Sequence, residues 1–339
     1  MEYIKYFLLL LLGLVYGRCH AQENMMFRHW DVSDGISDNQ IRYLSVLDDG
    51  RIAIRTSSIL NIFNGITFEH FYHDRRKVYL WSYNKNQIFK DYCDSEGRLW
   101  MKSPGYLLLF DLKTNEFLYD IETLLIKMGV KGRLKNMFVD EGKNYWFLTE
   151  DNHFLFYDIS KSELMTIEAS VPVDKYGVPC EVAQYDDLYY IIYTGGLIRL
   201  WNRTLCRFVE EDRTFMGRIS LATDRLKLQT DSEGNLWLMY NQAVCLYQPH
   251  IQQWKELLTI EGASNFFTSM DVDTEGNVWV GSSWSGLRKI DKRTHEVSLM
   301  SGLQLSDGSV LNNDIQCILT DNNHGVWVGL LWQGICYYN

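Results

Sequence analysis

The segment Asp273–Leu287 reads DTEGNVWVGSSWSGL and decides the fold class. An acidic turn containing glycine follows an apolar strand, and the next strand carries Trp279. The same phrase returns as DNNHGVWVGLLWQGI at Asp321–Ile335. Apolar alternation on both sides of an Asp/Gly-rich turn predicts antiparallel strands, so the rest of the chain can be searched for the same unit.

Three further copies keep the acidic turn and the tryptophan: DSEGRLW (Asp94–Trp100), DEGKNYW (Asp140–Trp146) and DSEGNLW (Asp231–Trp237). The five tryptophans are separated by 46, 91, 42 and 48 residues, so the interval of 91 spans two periods. A degenerate copy at residues 185–201 fills that gap, with Ile192 predicted at the tryptophan position. Another, at residues 47–63, opens the series with Ala53 there. The chain therefore contains seven repeats.

Each repeat is long enough for four short antiparallel strands, and the sixth shows them as Phe266–Asp273, NVWVGS, GLRKID and EVSLMS. Such an array predicts an all-β, seven-bladed β-propeller. The only competing helical pattern is IETLLIKMG at residues 121–129, interpreted as a short insertion between blades. The predicted repeats lie near residues 41–74, 88–120, 135–167, 180–212, 226–258, 265–300 and 314–339.

The last repeat stops after three strands at residues 334–339. The N-terminal sequence before the first repeat is similar to the sequence before the last one, so residues 25–31 are predicted to supply the missing outer strand and close the ring. Residues 22–339 would then form one propeller domain. A closed ring leaves only short, protected strand edges.

Residues 1–21 have the layout of a secretory signal peptide: Lys5, an apolar run over residues 6–16 and a small-residue end at Ala21. The run is too short for a membrane-spanning helix. No second long apolar segment follows, which predicts a periplasmic mature chain without a membrane span.

The formal net charge is −10, and no dense run of lysine and arginine is present. Nucleic acid is therefore not an expected partner, because phosphate binding requires clustered basic residues. Six cysteines follow the signal peptide, without a CxxC motif or zinc-ligand spacing. Buried free thiols are favoured over disulfides, which stay an open alternative.

No catalytic residue, cofactor or metal site is predicted. DVDTEG, Asp271–Gly276, matches the opening of a calcium-binding loop, but Ser282 stands where a bidentate glutamate is required. A hairpin turn explains the motif better. His70 and His73, three apart on a predicted strand, would point to opposite faces and make a poor metal pair.

The blade tryptophans Trp100, Trp146, Trp237, Trp279 and Trp327 are predicted to pack between neighbouring blades. Ligand contacts are expected on the face formed by the loops between the second and third strands and between blades. Trp284 and Trp332, five residues after two blade tryptophans, are candidates for stacking on sugar rings. Further candidates are Arg55, Lys102, Glu150, Tyr240, Asn241, Trp81 and Tyr83. The alternative is that the aromatic residues cover the channel mouth or contact a partner domain.

The phrase D-x-x-G-x-[LV]-W-[IVL]-G-[TS]-x-x-x-G-[LI] at Asp273–Leu287 and Asp321–Ile335 resembles the repeat of the two-component regulator propeller family. The resemblance covers residues 25–339, although the first repeat lacks the tryptophan and the fourth lacks both the glycine and the tryptophan. It implies the periplasmic sensor region of a hybrid two-component system that detects glycan breakdown products. Only the first propeller of that architecture is present, without kinase or DNA-binding parts.

Three hypotheses follow from the sequence. The first is an exported, non-enzymatic propeller that binds a ligand such as an oligosaccharide. The second is a propeller-fold lyase or glycoside hydrolase. The third is an interaction scaffold that binds another propeller, another sensor protein or a second copy of itself.

Overall fold

The computed structural model describes residues 25–82, 90–219, 226–262, 264–312 and 314–339. The predicted signal peptide lies outside these ranges. The described residues form a seven-bladed β-propeller in which each blade is a twisted antiparallel sheet.

The four main strands of blades 1 to 6 follow one another within each blade in chain order. Strand β1 (Arg28–Trp30) precedes blade 1, which comprises β2 (Tyr43–Val46), β3 (Ile52–Arg55), β4 (Ile59–Phe63) and β5 (Phe68–Tyr72). A short strand, β6 (Tyr79–Leu80), precedes blade 2, which comprises β7 (Asp91–Cys93), β8 (Arg98–Ser103), β9 (Tyr106–Asp111) and β10 (Glu116–Leu118). Helix α1 (Ile121–Lys127) lies where the sequence predicts an insertion.

Blade 3 comprises β11 (Leu134–Val139), β12 (Tyr145–Thr149), β13 (Phe154–Asp158) and β14 (Glu163–Glu168), and helix α2 (Val173–Tyr176) follows. Blade 4 comprises β15 (Pro179–Tyr185), β16 (Leu188–Tyr193), β17 (Ile198–Asn202) and β18 (Arg207–Asp212). Blade 5 comprises β19 (Leu226–Thr230), β20 (Leu236–Tyr240), β21 (Ala243–Gln248) and β22 (Gln253–Thr259).

Blade 6 comprises β23 (Phe267–Val272), β24 (Val278–Ser282), β25 (Gly286–Ile290) and β26 (Val297–Met300). A small hairpin of β27 (Leu303–Gln304) and β28 (Val310–Leu311) leads to blade 7, which contains β29 (Ile315–Thr320), β30 (Val326–Leu330) and β31 (Ile335–Tyr338). Strand β1 pairs antiparallel with β31, with Trp30 opposite Ile335, and is the outer strand of this sheet.

The first strands of neighbouring blades contact one another around the ring, and β29 of blade 7 contacts β2 of blade 1. The space between blades is filled by aromatic rings. Trp146 of blade 3 lies 5.0 Å from the Tyr189 ring and 5.4 Å from the Trp201 ring of blade 4. Trp327 of blade 7 lies 6.0 Å from the Phe63 ring of blade 1. All five blade tryptophans are buried.

The prediction for the tryptophan position of blade 4 was wrong. Tyr189, not Ile192, occupies it, opposite Trp201 on the third strand. In this blade a tight turn at Asp186 and Asp187 joins the first two strands in place of the longer acidic turn of the other blades. The residue equivalent to the blade tryptophan therefore lies three positions before the predicted one. Tyr189 supplies the aromatic packing that tryptophan supplies elsewhere.

The six cysteines of the described part are free thiols. Cys180, Cys245, Cys317 and Cys336 are buried in strands, whereas Cys206 is exposed in a turn, unlike the buried position favoured for most cysteines. Burial raises the pKa of the Cys245 and Cys336 thiols to about 12, which keeps them protonated near neutral pH. Within the described ranges, no helix is both long and apolar enough to cross a membrane.

Candidate functional site

Successive strands of a blade run in opposite directions, so the propeller has two distinct ends. The acidic turns lie at one end. The loops between second and third strands, together with the connections between blades, lie at the other, which is called the loop face below. The sequence predicts its ligand-binding candidates for the loop face.

A cavity of about 310 Å³ opens at the loop face between blades 1 and 2. Arg55, the last residue of β3, lies in its wall and is 6% exposed. Its guanidinium donates to the Ser103 hydroxyl at 2.8 Å and to the Lys102 carbonyl at 2.6 Å. It also lies 4.2 Å from the centre of the Tyr43 ring. These contacts fix the arginine at the cavity wall.

Asp91, at the start of β7, forms a buried ion pair with Arg55, with 2.9 Å between Oδ1 and Nη2. Burial raises the pKa of the Asp91 carboxyl to about 6, and the attraction of Arg55 offsets only part of that effect. The pair joins the second strand of blade 1 to the first strand of blade 2 beside the cavity.

The remaining lining combines hydroxyl groups with aromatic rings. Thr56, Ser57, Ser58 and Ser103 contribute hydroxyls, while Tyr106 and Phe117 contribute rings. His73 lines the same cavity, 6.0 Å from the Tyr106 ring, and burial lowers its pKa. Arg42 and Arg55 are the charged residues of the lining, which contains no aspartate or glutamate among the described residues. The lining therefore combines hydroxyl groups, aromatic rings and two arginines, of which Arg55 is paired with Asp91.

Lys102 does not reach this face as the sequence predicted. It is fully buried, its ammonium donates to the Met137 carbonyl of blade 3 at 2.9 Å, and it lies 4.5 Å from the centre of the Phe138 ring. Burial lowers the pKa of the Lys102 amine to about 8. Lys102 therefore joins blades 2 and 3 and does not line the loop-face cavity.

Arg55 and Lys102 hold equivalent places, two residues after the blade tryptophan position, where blades 6 and 7 have Gly281 and Gly329. A side chain at this position points toward the adjacent first strands: a Cβ at Gly281 would overlap Ile315 of blade 7. Long cations replace the glycine in blades 1 and 2 and find partners in the next blade. This substitution brings Arg55 to the cavity.

Trp81 also lies elsewhere than predicted. It is 6% exposed, and its indole donates to the Ser103 carbonyl at 3.0 Å, so it cannot present a free face for stacking. Tyr83 lies outside the described residues. Tyr240 and Asn241 are half-buried in blade 5, and the Asn241 carbonyl accepts from the Phe267 amide at 2.7 Å. Glu150 is exposed and accepts from the Ser82 hydroxyl at 3.1 Å.

Trp284 and Trp332 are both highly exposed on loops of adjacent blades, at 64% and 65%. They differ in backbone conformation. Trp284 has a φ of +70°, in the left-handed region that bulky residues rarely adopt, while Trp332 does not. Exposed indoles on neighbouring loops are compatible with sugar stacking and with contact to a protein partner.

The carboxylate of Asp273 accepts hydrogen bonds from within its own turn. Oδ1 of Asp273 accepts from the amides of Glu275 and Asn277 at 3.0 and 2.8 Å. His70 and His73 have separate contacts, since His70 bonds the Gly35 carbonyl and His73 lines the cavity. In the part of the chain that the structure describes, no group of three or more histidine, cysteine, aspartate or glutamate residues is arranged to hold a metal ion.

The sequence pointed to Arg55 but missed His73 as a cavity residue, as well as Tyr106 and Phe117. Tyr106 stands where blade 6 has Gly286, and Phe117 stands where blade 1 has Phe68, which does not line the cavity, so the repeat does not mark these positions. Only the ring geometry brings the outer strand of blade 1 next to β9 and β10.

Solved structures with a similar fold include the extracellular domain of the putative hybrid two component system BT3049 from B. thetaiotaomicron. The TM-score is 0.65 at 15% identity, over 93% of this chain and 42% of that one. The extracellular domain of the putative one component system BT4673 from the same organism gives 0.63 at 14% identity, over 92% and 40% of the two chains. The chain shares its propeller fold with these extracellular domains.

A third similar structure, YCF48 bound to D1 peptide, has a TM-score of 0.58 at 13% identity and covers 94% of this chain and 95% of that one. No protein-family model matches the sequence, and no curated protein matches it either. The similar extracellular domains confirm the resemblance to the two-component regulator propeller family at the level of the fold. The chain spans about two fifths of the BT3049 and BT4673 domains.

Proposed function

We propose that this chain is an exported, periplasmic sensor propeller, with residues 22–339 as its domain, and that it binds a small oligosaccharide at the loop face. The observation that carries the proposal is the cavity between blades 1 and 2. A sugar ring has apolar C–H faces and a rim of hydroxyls, and the cavity offers aromatic rings beside serine, threonine and arginine side chains.

The cavity's volume suits a ligand at the small end of the usual range, which is roughly 300–1,000 Å³. The blade framework around it is held by buried ion pairs and aromatic packing, so its walls are already in place before a ligand arrives. Preorganisation of this kind reduces the ordering cost of binding. A binding role requires no catalytic group, and none is assigned.

The test is a thermal-shift screen of the purified propeller against oligosaccharides, followed by calorimetry with any sugar that raises the melting temperature. A ligand that binds only the folded state stabilises it by mass action. Tyr106→Ala and Arg42→Ala should each weaken binding by about tenfold or more, since a lost ring or charged contact is worth at least ~1.4 kcal/mol. Tyr72→Ala, which removes an exposed ring from β5 outside the cavity, is the matched control.

The double variant Trp284→Ala/Trp332→Ala distinguishes the two sugar sites. If the double variant loses sugar binding and Tyr106→Ala retains it, the sugar binds at the exposed tryptophans and not in the cavity. Absence of any sugar-dependent shift would contradict sugar binding and favour a scaffold that contacts another propeller, a sensor protein or a second copy. Release of product from a glycan would favour the lyase or hydrolase hypothesis.

A further inference from the structure

A second cavity, of about 230 Å³, lies between blades 4 and 5 and is separate from the loop-face cavity. Part of its wall is the turn between the third and fourth strands of blade 5, at Pro249 and Gln252, which lies at the end of the propeller that carries the acidic turns. Nothing in the repeat motif marks this place.

The floor of this cavity is apolar, and one side is aromatic. Leu188, Ile198, Leu200 and Leu236 form the aliphatic part. Tyr190, Tyr247 and Trp254 form the aromatic part, and the rings of Tyr247 and Trp254 lie 5.0 Å apart at 34°. Three electron-rich rings around one small space are the arrangement that attracts a cation to ring faces.

Two carboxylates complete the lining. Glu210 and Asp212 are two residues apart on β18 and so share one face of the strand, opposite Leu200 and Ile198. Oδ2 of Asp212 accepts from the Trp254 indole at 2.5 Å, and Oδ1 accepts from the Thr214 amide at 2.8 Å. These contacts hold one carboxylate and one ring in fixed relation to each other.

The two faces of β18 differ in how their charges are compensated. Glu211, between the two carboxylates and pointing the other way, contacts Arg199 at 3.2 Å and Arg213 at 2.9 Å. Within the described residues, Glu210 and Asp212 form no ion pair, and no lysine, arginine or histidine lines the cavity. Burial raises the pKa of the Tyr190 phenol to about 12, and Glu210 acts in the same direction.

We propose that the cavity between blades 4 and 5 binds a small organic ammonium ion with apolar substituents. The ammonium ion would supply the positive charge that no lining residue provides opposite Glu210 and Asp212. The aliphatic floor and the rings accommodate methyl or methylene groups, and the rings attract the cation directly. The lining carries two carboxylates, whereas the loop-face cavity is lined by arginines, so the two sites are chemically distinct.

The test compares choline with 3,3-dimethylbutan-1-ol, its neutral isostere, by calorimetry and by saturation-transfer NMR on the whole chain at low ionic strength. Choline should bind at least about tenfold more tightly, because only the cation gains from the carboxylates and ring faces. Glu210 is exposed, so Glu210→Gln should reduce choline affinity by about two- to fivefold and leave the affinity for the alcohol unchanged.

Glu256→Gln is the matched control, since it removes an exposed carboxylate from the outer strand of blade 5 without touching the cavity. It should leave choline binding unchanged apart from a small effect of net charge. Trp254→Leu provides a second variant, expected to lose choline contacts while retaining its folded circular-dichroism spectrum. Equal affinity for choline and the alcohol, equal effects of Glu210→Gln and Glu256→Gln, or no binding at millimolar choline would each overturn the proposal.

Discussion

The indole Nε1 of Trp279 donates a hydrogen bond of 2.8 Å to Oδ2 of Asp273, six residues earlier. The same bond recurs in four other blades, at 2.8 to 3.1 Å: Trp100 to Asp94, Trp146 to Asp140, Trp237 to Asp231 and Trp327 to Asp321. The other carboxylate oxygen holds turn amides. The fixed spacing in the repeat is therefore a buried hydrogen-bonded unit that ties the acidic turn to inter-blade packing.

The first prediction concerns this pair. Asp273→Ala should destabilise the propeller by about 2–4 kcal/mol, because the Trp279 indole and two turn amides lose their acceptor. Trp279→Ala should cost about 3–5 kcal/mol through the cavity left between blades. Urea unfolding followed by circular dichroism measures both values.

Trp279→Phe separates the hydrogen bond from the packing. Combined with Asp273→Asn in a double-mutant cycle, it should show a favourable coupling of about 1–2 kcal/mol in the wild-type pair. Strictly additive effects would show that Asp273 acts on the turn alone and that the indole bond contributes nothing to stability.

The second prediction concerns Gly281, in the W-V-G part of the repeat. A Cβ there would overlap Ile315, and Cδ1 of Ile318 lies 3.1 Å from it. Gly281→Ala should therefore cost about 1–3 kcal/mol by overpacking. Adding Ile315→Ala should relieve part of the strain, so the double variant should be more stable than the sum of the single effects indicates. An additive result would mean that the glycine is needed for a reason other than close approach.

The fold could be predicted because the features that specify it are local and repeated. Asp273 and Trp279 lie within one hairpin, so their spacing is visible in the sequence wherever the hairpin recurs. Tyr189 escaped the prediction because a two-residue turn shifted the register, and counting from Asp186 then reached Ile192. Register depends on turn length, which composition alone did not indicate.

The candidate site was less predictable because it depends on contacts between blades. Arg55 and Lys102 occupy equivalent positions, yet one lines a cavity and the other is enclosed against Met137 and Phe138. The difference is set by the first strand of the next blade, which lies about 35 residues further along the chain. The sequence of a single repeat therefore does not show whether such a side chain lines a cavity or is enclosed by the next blade.

The third prediction uses the burial of Lys102. Its folded pKa of about 8 lies below the ordinary lysine value of 10.5, so between these values the unfolded chain binds more protons than the folded one. The free energy of unfolding should therefore rise with pH in this interval. Relative to Lys102→Met, which does not titrate, the wild type should gain roughly 2 kcal/mol between about pH 7 and pH 10.

The measurement is urea unfolding of the wild type and Lys102→Met at several pH values. Subtracting the two free energies of unfolding removes the contribution of the tyrosines and cysteines, which both proteins share. A stability difference between the wild type and Lys102→Met that does not change with pH would contradict a lowered pKa of Lys102 in the folded protein.

The last prediction compares the two exposed tryptophans of the loop face. Trp284 and Trp332 are equally exposed, but only Trp284 has a left-handed backbone, a conformation that costs a residue with a Cβ about 1–2 kcal/mol. Trp284→Gly removes that cost and should offset the entropy that glycine adds to the unfolded chain, leaving stability nearly unchanged or higher. Trp332→Gly gains no relief and should destabilise by about 0.5–1 kcal/mol. Thermal and urea unfolding of the two variants, with Trp284→Ala and Trp332→Ala to isolate the loss of the ring, measure the contrast; equal effects of the two glycine substitutions would show that the backbone at Trp284 is not strained.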